Sequence, residues 1–372
     1  MASKVYFMDL RASMKETNFQ KFGKLLKALD VESIIQRKKK RPLIAVKLHF
    51  GEKGNTSYIR PNFVRLMVDE LWDGGARPFL TDSNTLYIGT RIEAVSHLTT
   101  AIENGFAFAV TRAPVVIADG LTGKAEVEVE INKEQFKSVF LAEAVWEAEG
   151  LVAMSHFKGH EMSGFGGALK NLCMGGASRK GKMAQHSNIS PVVSKKQCTG
   201  CGECVASCAV EAIHLNPETE KAVIDPKICV GCAECIAICP YGSIQIQWNE
   251  TIPVFLKKMM EYAYGVMLGK QDRALFINFV TQVSPACDCY GYNDFPIVGD
   301  IGILAGSDPV AIDQACVDLV NQAPGLPGSE LKNLSPGVDK FKDIYPKIDW
   351  PIQMEYAEQL GLGTREYELV KV

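Results

Sequence analysis

Residues 43–50 read LIAVKLHF, an apolar run interrupted only by Lys47 and His49. A run of this length reads as a buried strand of the kind that parallel sheets require. Working outward, Asn62 to Trp72 has the periodicity of an amphipathic helix, Gly74-Gly75 turns the chain, and RPFLTD (77–82) returns as a strand. The alternation continues, with a helix over Ala94 to Asn104 closed by Gly105, and strands at PVVIADG (114–120) and LVAMSHF (151–157). Strands alternating with helices of this length imply βαβ units. One departure is AEVEVEI (125–131), whose strict alternation predicts an antiparallel edge strand or hairpin. The pattern stops near Asn188 and resumes after Asn249, with a helix over 253–268, strands over 274–280 and 297–305, and a helix opening at SDPVAIDQA (307–315). There Ser307 or Asp308 caps the helix ahead of Pro309, whose missing N–H costs nothing in a first turn.

The sequence therefore predicts an α/β fold: a mostly parallel sheet with flanking helices, interrupted by a small α+β insert. The α/β domain begins over 1–189, the insert takes 190–248, the domain is completed over 249–325, and 326–372 forms a wrapped extension with a short helix near Met354 to Leu360. The chain has 372 residues, of which 47% are apolar and 22% charged, an ordinary globular balance that allows two cores. A net charge of −3 gives no electrostatic basis for binding nucleic acid or an anionic membrane. No apolar run reaches the roughly 18 residues of a membrane span. Asp9 and Arg11 interrupt the N-terminal stretch MASKVYFMDLRAS, which does not read as an export signal. Twelve cysteines without an export signal point to metal ligation in the cytoplasm rather than disulfides. The basic run QRKKKR (36–41) reads as a solvated linker or a docking patch for an acidic partner.

The insert holds Cys198-x2-Cys201-x2-Cys204-x3-Cys208, and the same spacing returns 31 residues later as Cys229, Cys232, Cys235 and Cys239. Three thiolates at intervals of three surround one cubane, and the fourth ligand comes from the other repeat. One [4Fe–4S] cluster is expected on Cys198, Cys201, Cys204 and Cys239, and a second on Cys229, Cys232, Cys235 and Cys208. Zinc is the alternative, although its sites rarely use a third cysteine at the next interval of three. The insert resembles a bacterial two-cluster ferredoxin, apart from Ala209, where proline is usual.

Immediately before it lies KGHEMSGFGGALKNLCMGGASRKGKMAQH (158–186). It fits neither a Walker A loop, which needs glycine where Leu169 stands, nor a dinucleotide fingerprint. Gly164, Gly166 and Gly167 lead into a helix whose free N–H groups suit a carboxylate or phosphate, with Lys158 and Lys170 beside it. Together with the insert and PACDC (285–289), the run GFGGALKNLCMG resembles the domain of unknown function 362 family from about Leu43 to Asn321. A more remote likeness, to the nickel-pincer lactate racemase family, rests on His160, Lys170 and His186, and on loops at Asn55–Pro61 and Gly89–Arg91. It implies a cofactor attached to Lys170, His186 as metal ligand, His160 as acid–base, and Arg60 and Arg91 as contacts to substrate or cofactor. The racemase family lacks the insert.

Cys173, Cys287, Asp288 and Cys289 are left as candidates for a third metal site, against plain packing. Cys316 reads as core, His214 as exposed, and His49 and His97 as structural. The favoured reading is a redox enzyme whose two clusters pass electrons to a substrate, metal or organic cofactor in a cleft. Lys158, His160, Lys170 and His186 would be catalytic there, with Arg60, Arg91, Asn171 and the three glycines binding. An electron donor or acceptor, protein or small molecule, is the implied partner. The alternatives are a non-enzymatic electron carrier that docks a redox enzyme, and a pincer-type isomerase.

Overall fold

A computed structural model describes residues 2–35 and 41–372; Gln36 to Lys40, the bulk of the basic run, lie outside the described residues. One sheet organises the chain. Its strands are β1 (Ser3–Asp9), β2 (Leu43–Lys47), β3 (Arg77–Asp82), β4 (Val115–Ile117), β5 (Gly150–His156), β6 (Ala274–Val280), β7 (Gly302–Gly306) and β8 (Tyr367–Lys371). They lie in the order β8-β1-β7-β6-β5-β2-β3-β4. From β6 to β4 every neighbour is parallel. Only β7 runs against the rest, antiparallel to both β6 and β1. The fold is thus α/β with a mostly parallel sheet. Every residue of β5 and β6 is buried, as central strands covered on both faces must be.

Two apolar layers cover the sheet. Phe22, Val64 and Ala101 belong to one, from helices Asn18–Ala28, Pro61–Asp73 and Ala94–Glu103. Leu169, Phe255, Val310 and Met354 belong to the other, from helices Ala168–Gly176, Ile252–Met267, Pro309–Gln322 and Pro351–Gln359. The alternating run near 125–131 forms a hairpin, Glu126–Glu130 against Ser138–Ala142.

Some elements depart from the sequence reading. The first strand of the LIAVKLHF run stops at Lys47, because the chain then turns through Gly51 at a left-handed φ of 82°. The strand expected over 297–305 covers only Gly302–Gly306. The tail does more than wrap. Its last strand pairs with the N-terminal one, Ser3 to Phe7 against Tyr367 to Lys371, so both chain ends build the same sheet edge.

The cysteine-rich segment repeats in its backbone as well as its sequence. Short helices Glu203–Ala206 and Glu234–Ile238 correspond, as do strands Ile213–Leu215 and Ile244–Gln245. Left-handed residues also recur in register: Gly200 with Gly231, Gly202 with Ala233, and Glu211 with Gly242. No helix among the described residues is long and apolar enough to cross a membrane.

Candidate functional site

Beyond the C-terminal ends of β2, β3 and β5 the structure opens into a cavity of about 420 Å³. Open α/β sheets hold ligands at this end of their strands. Lys47 ends β2, Asp82 ends β3 and His156 ends β5, and all three line the cavity. Lys47 meets Asp82 at 2.8 Å, while Arg91 lies 3.4 Å from Asp82 and 3.1 Å from Glu52. Burial pushes the Asp82 carboxyl up, but Lys47, His49, His97 and Arg91 outweigh it and hold the carboxyl well below the usual range. Burial in turn lowers Lys47, with Asp82 opposing.

The opposite wall comes from the hairpin Lys158–His160/Gly164–Gly166 and the helix Ala168–Gly176. Gly164, Gly166 and Gly167 serve close packing rather than ligand contact, and none of them lines the cavity. A Cβ on Gly164 would lie 2.7 Å from Trp350 Cβ, and one on Gly166 2.8 Å from Lys170 Cδ. One on Gly167 would overlap the Asp313 carboxylate. The helix N-terminus expected to receive an external anion is already capped from within: Asp313 accepts from Ala168 N at 2.7 Å and Leu169 N at 2.9 Å. The anion that suits those N–H groups is the protein's own.

Lys158, His160, Lys170, Asn171, His186 and Arg91 all reach the cavity. Arg60 does not; it is exposed at the start of helix Pro61–Asp73. Asn171 is occupied, accepting from Lys47 Nζ at 2.8 Å and donating to the carbonyls of Lys47 and Met154 at 3.1 Å. His160 Nδ1 accepts from Ser163 N at 3.1 Å, which leaves its other nitrogen toward the cavity side. His186 stacks on Phe255 at 4.9 Å and meets Trp248 edge-on at 4.6 Å. Burial, then the charges of His160 and Lys170, push it down to about 3. Its Nδ1 is buried without a hydrogen-bond partner.

The four candidates for a third metal site are not gathered. Cys287 and Cys289 line the cavity, with Lys170 Nζ 3.2 Å from Cys287 Sγ. Asp288 turns into the protein, 2.9 Å from His156 Nδ1, 3.1 Å from Ser57 Oγ and 3.4 Å from Lys158 Nζ. Cys173 belongs to the core. Among the described residues, no group of three or more His, Cys, Asp or Glu side chains is arranged to hold a single metal ion.

Sequence reasoning passed over Lys47, Asp82, Lys182 and Asp313, and read His49 as structural. A lysine inside a strand buried on both faces was the available signal for Lys47. His49 lines the cavity, and its Nε2 is buried without a partner. Lys182 donates to Asn84 O at 2.7 Å and Ala177 O at 3.1 Å, and burial brings it down to about 8.

In the cysteine-rich segment Cys198, Cys201, Cys204 and Cys239 wall one small cavity. Burial raises Cys204, and the charges of Cys239, Cys198 and Cys201 add to it. Cys235 is pushed up to about 12, by burial first and then by Cys232, Cys229, Cys204 and Cys208. The segment packs on the main domain through Leu86 and Met183, which join Cys198, Cys204 and Cys235 in one apolar cluster. Lys124 and Arg179 reach Glu234 at 3.3 and 3.8 Å.

No curated protein matches the chain. Among solved structures it is similar to the lactate racemase apoprotein from Thermoanaerobacterium thermosaccharolyticum, at 14% identity and a TM-score of 0.45, over 86% of this chain and 58% of that one. A protein from Thermotoga maritima is similar at 10% identity and a TM-score of 0.38, over 84% of this chain and 61% of that one. The chain thus spans less than two thirds of the length of either. The model of the domain of unknown function DUF362 matches residues 44–318, well over half of the sequence, and the chain belongs to that family.

Proposed function

We propose that this chain is an iron–sulfur redox protein. Cys198, Cys201, Cys204 and Cys239 would hold one [4Fe–4S] cluster and Cys208, Cys229, Cys232 and Cys235 a second, supplying single electrons beside a cavity that takes an anionic substrate or cofactor. The observation that carries this reading is a shared wall. Leu86 lines the cavity and packs in the same apolar cluster as Cys198, Cys204 and Cys235. Cys204, Cys229 and Cys235 fit such a group, since burial and the charge of neighbouring cysteines disfavour their thiolates until cations compensate them. The cavity suits an anion: Lys47, Arg91, Lys158, Lys170 and Lys182 line it, against the carboxylates of Asp82 and Glu161. Lys182, brought down to about 8, is matched to proton exchange near neutral pH.

The test is iron and acid-labile sulfide per chain in protein purified without oxygen, with electron paramagnetic resonance after reduction. About eight of each is expected, falling to about four in Cys201→Ser. Zinc in place of iron, or iron without sulfide, would remove the reading.

A pincer-cofactor isomerase is a second reading, supported by the meeting of His160, Lys170 and His186 in one cavity and by the unpartnered His186 Nδ1. It requires added mass on Lys170. Native protein whose Lys170 peptide has its unmodified mass would exclude it.

A further inference from the structure

Four cysteines stand outside the two quartets, and they divide sharply. Cys173 and Cys316 are core residues whose thiols burial pushes up, Cys173 to about 12. Cys287 and Cys289 face the cavity from a turn in which Tyr290 N donates to Cys287 O at 3.2 Å. Asp288, between them, anchors that turn by pointing the other way, into His156, Ser57 and Lys158. Lys170 closes the arrangement, with its ammonium donating to Cys287 Sγ at 3.2 Å.

We propose that Cys287 is a nucleophile whose sulfur adds to the carbonyl carbon of a small oxo acid bound in the cavity. The excess of lysine and arginine over carboxylate in the lining selects the acid group. The sulfur is prepared for the role: the hydrogen bond from Cys289 holds the Cys287 thiol well below its ordinary range against burial, and Lys170 and His160 add to the effect. In the step, a sulfur lone pair forms the S–C bond and the carbonyl π pair moves onto oxygen. That oxygen takes a proton from Lys170. The transfer is favoured by the pairing, because Cys287 is the foremost of the groups, with Cys289 and Glu161, that raise Lys170 against the lowering effect of burial. Once the sulfur is bonded to carbon, the foremost of those charges is gone and the ammonium releases its proton to the adjacent alkoxide. The product is a neutral hemithioketal beside a neutral amine, and no electron is exchanged. The site stands whether or not the insert carries clusters.

Two measurements on the full chain, purified without oxygen, test it. Alkylation of Cys287 followed by peptide mass should be about tenfold faster with iodoacetate than with iodoacetamide, each scaled to a free cysteine peptide. The rate should stay flat from pH 6 to 8, and pyruvate should slow it. Lys170→Met should bring back part of the rise with pH of an ordinary thiol, the Cys289 hydrogen bond being left in place, while Lys170→Arg should keep the flat profile. Independently, pyruvate labelled with carbon-13 at its keto carbon should give a new tetrahedral carbon resonance with the native protein and none with Cys287→Ser. A native alkylation rate that climbs with pH, preference for iodoacetamide, or no new resonance would each overturn the assignment. The native pH profile requires no variant to fold.

Discussion

Asp82 sits where β3 ends and answers two buried cations, Lys47 at 2.8 Å and Arg91 at 3.4 Å. His97 lies 3.9 Å from the same carboxylate, fully buried, with its ring edge-on to Phe50. Burial pushes His97 down to about 3, with Asp82 opposing and Arg91 assisting. Its folded-state pKa therefore lies below the unfolded value near 6.5. As the pH falls, the unfolded chain takes up the proton first. The stability that depends on neutral His97 is present above about pH 6.5 and is lost progressively down to about 3. A glutamine does not titrate. The stability gap between native protein and His97→Gln should narrow by about 2 kcal/mol between pH 7 and pH 5. Urea unfolding at the two pH values measures it, and an unchanged gap would mean that His97 is not held neutral.

At the scale of elements, the helix Ala168–Gly176 carries Lys170 and Asn171 into the cavity, yet a different helix caps it. Asp313, from Pro309–Gln322, supplies both oxygens to Ala168 N and Leu169 N and also accepts from Asn278 Nδ2 at 2.7 Å. Gly167 is required because a side chain there would occupy the space of that carboxylate. Asp313→Ala should lower stability by about 1–2 kcal/mol, the usual worth of a lost cap. Because the cap also sets where Lys170 stands, the variant should bring back part of the pH dependence of Cys287 alkylation. A loss of stability with a flat alkylation profile would confine Asp313 to a purely structural role.

In the whole molecule, the cysteine-rich segment rests on the main domain through a small apolar patch and the pairs Glu234 makes with Lys124 and Arg179. Leu86 is 3% exposed and belongs to both sides of that contact. Leu86→Ala should cost about 2–5 kcal/mol at the junction and open residues 190–248 to limited proteolysis while the sheet domain stays intact. Leu215 lies in the same segment but is 38% exposed, and Leu215→Ala should leave the cleavage pattern unchanged. Equal cleavage of both variants would show that Leu86 does not hold the segment in place.

Much of this molecule was legible from local pattern. Buried strands announce themselves by continuous apolar runs and helices by their period, because burial acts on neighbouring residues in a repeat set by backbone geometry. The cysteine duplication was legible too, and the backbone repeats it in left-handed positions at the same offset. The two terminal strands were not. Ser3–Asp9 and Tyr367–Lys371 are only partly buried, and each pairs with a partner at the far end of the chain. The site divides in the same way. The glycines, His160, Lys170 and His186 are close in sequence and were read together. Lys170 meets Cys287 across 117 residues, and Asp313 caps Ala168 across 145. Residue order alone determined the central strands, most of the helices and the cysteine-rich module. Only the tertiary structure decided which charges share a cavity, which thiols face it and which carboxylate fills the helix end. Those outcomes depend on where parallel strands terminate side by side, and on which distant groups are desolvated together.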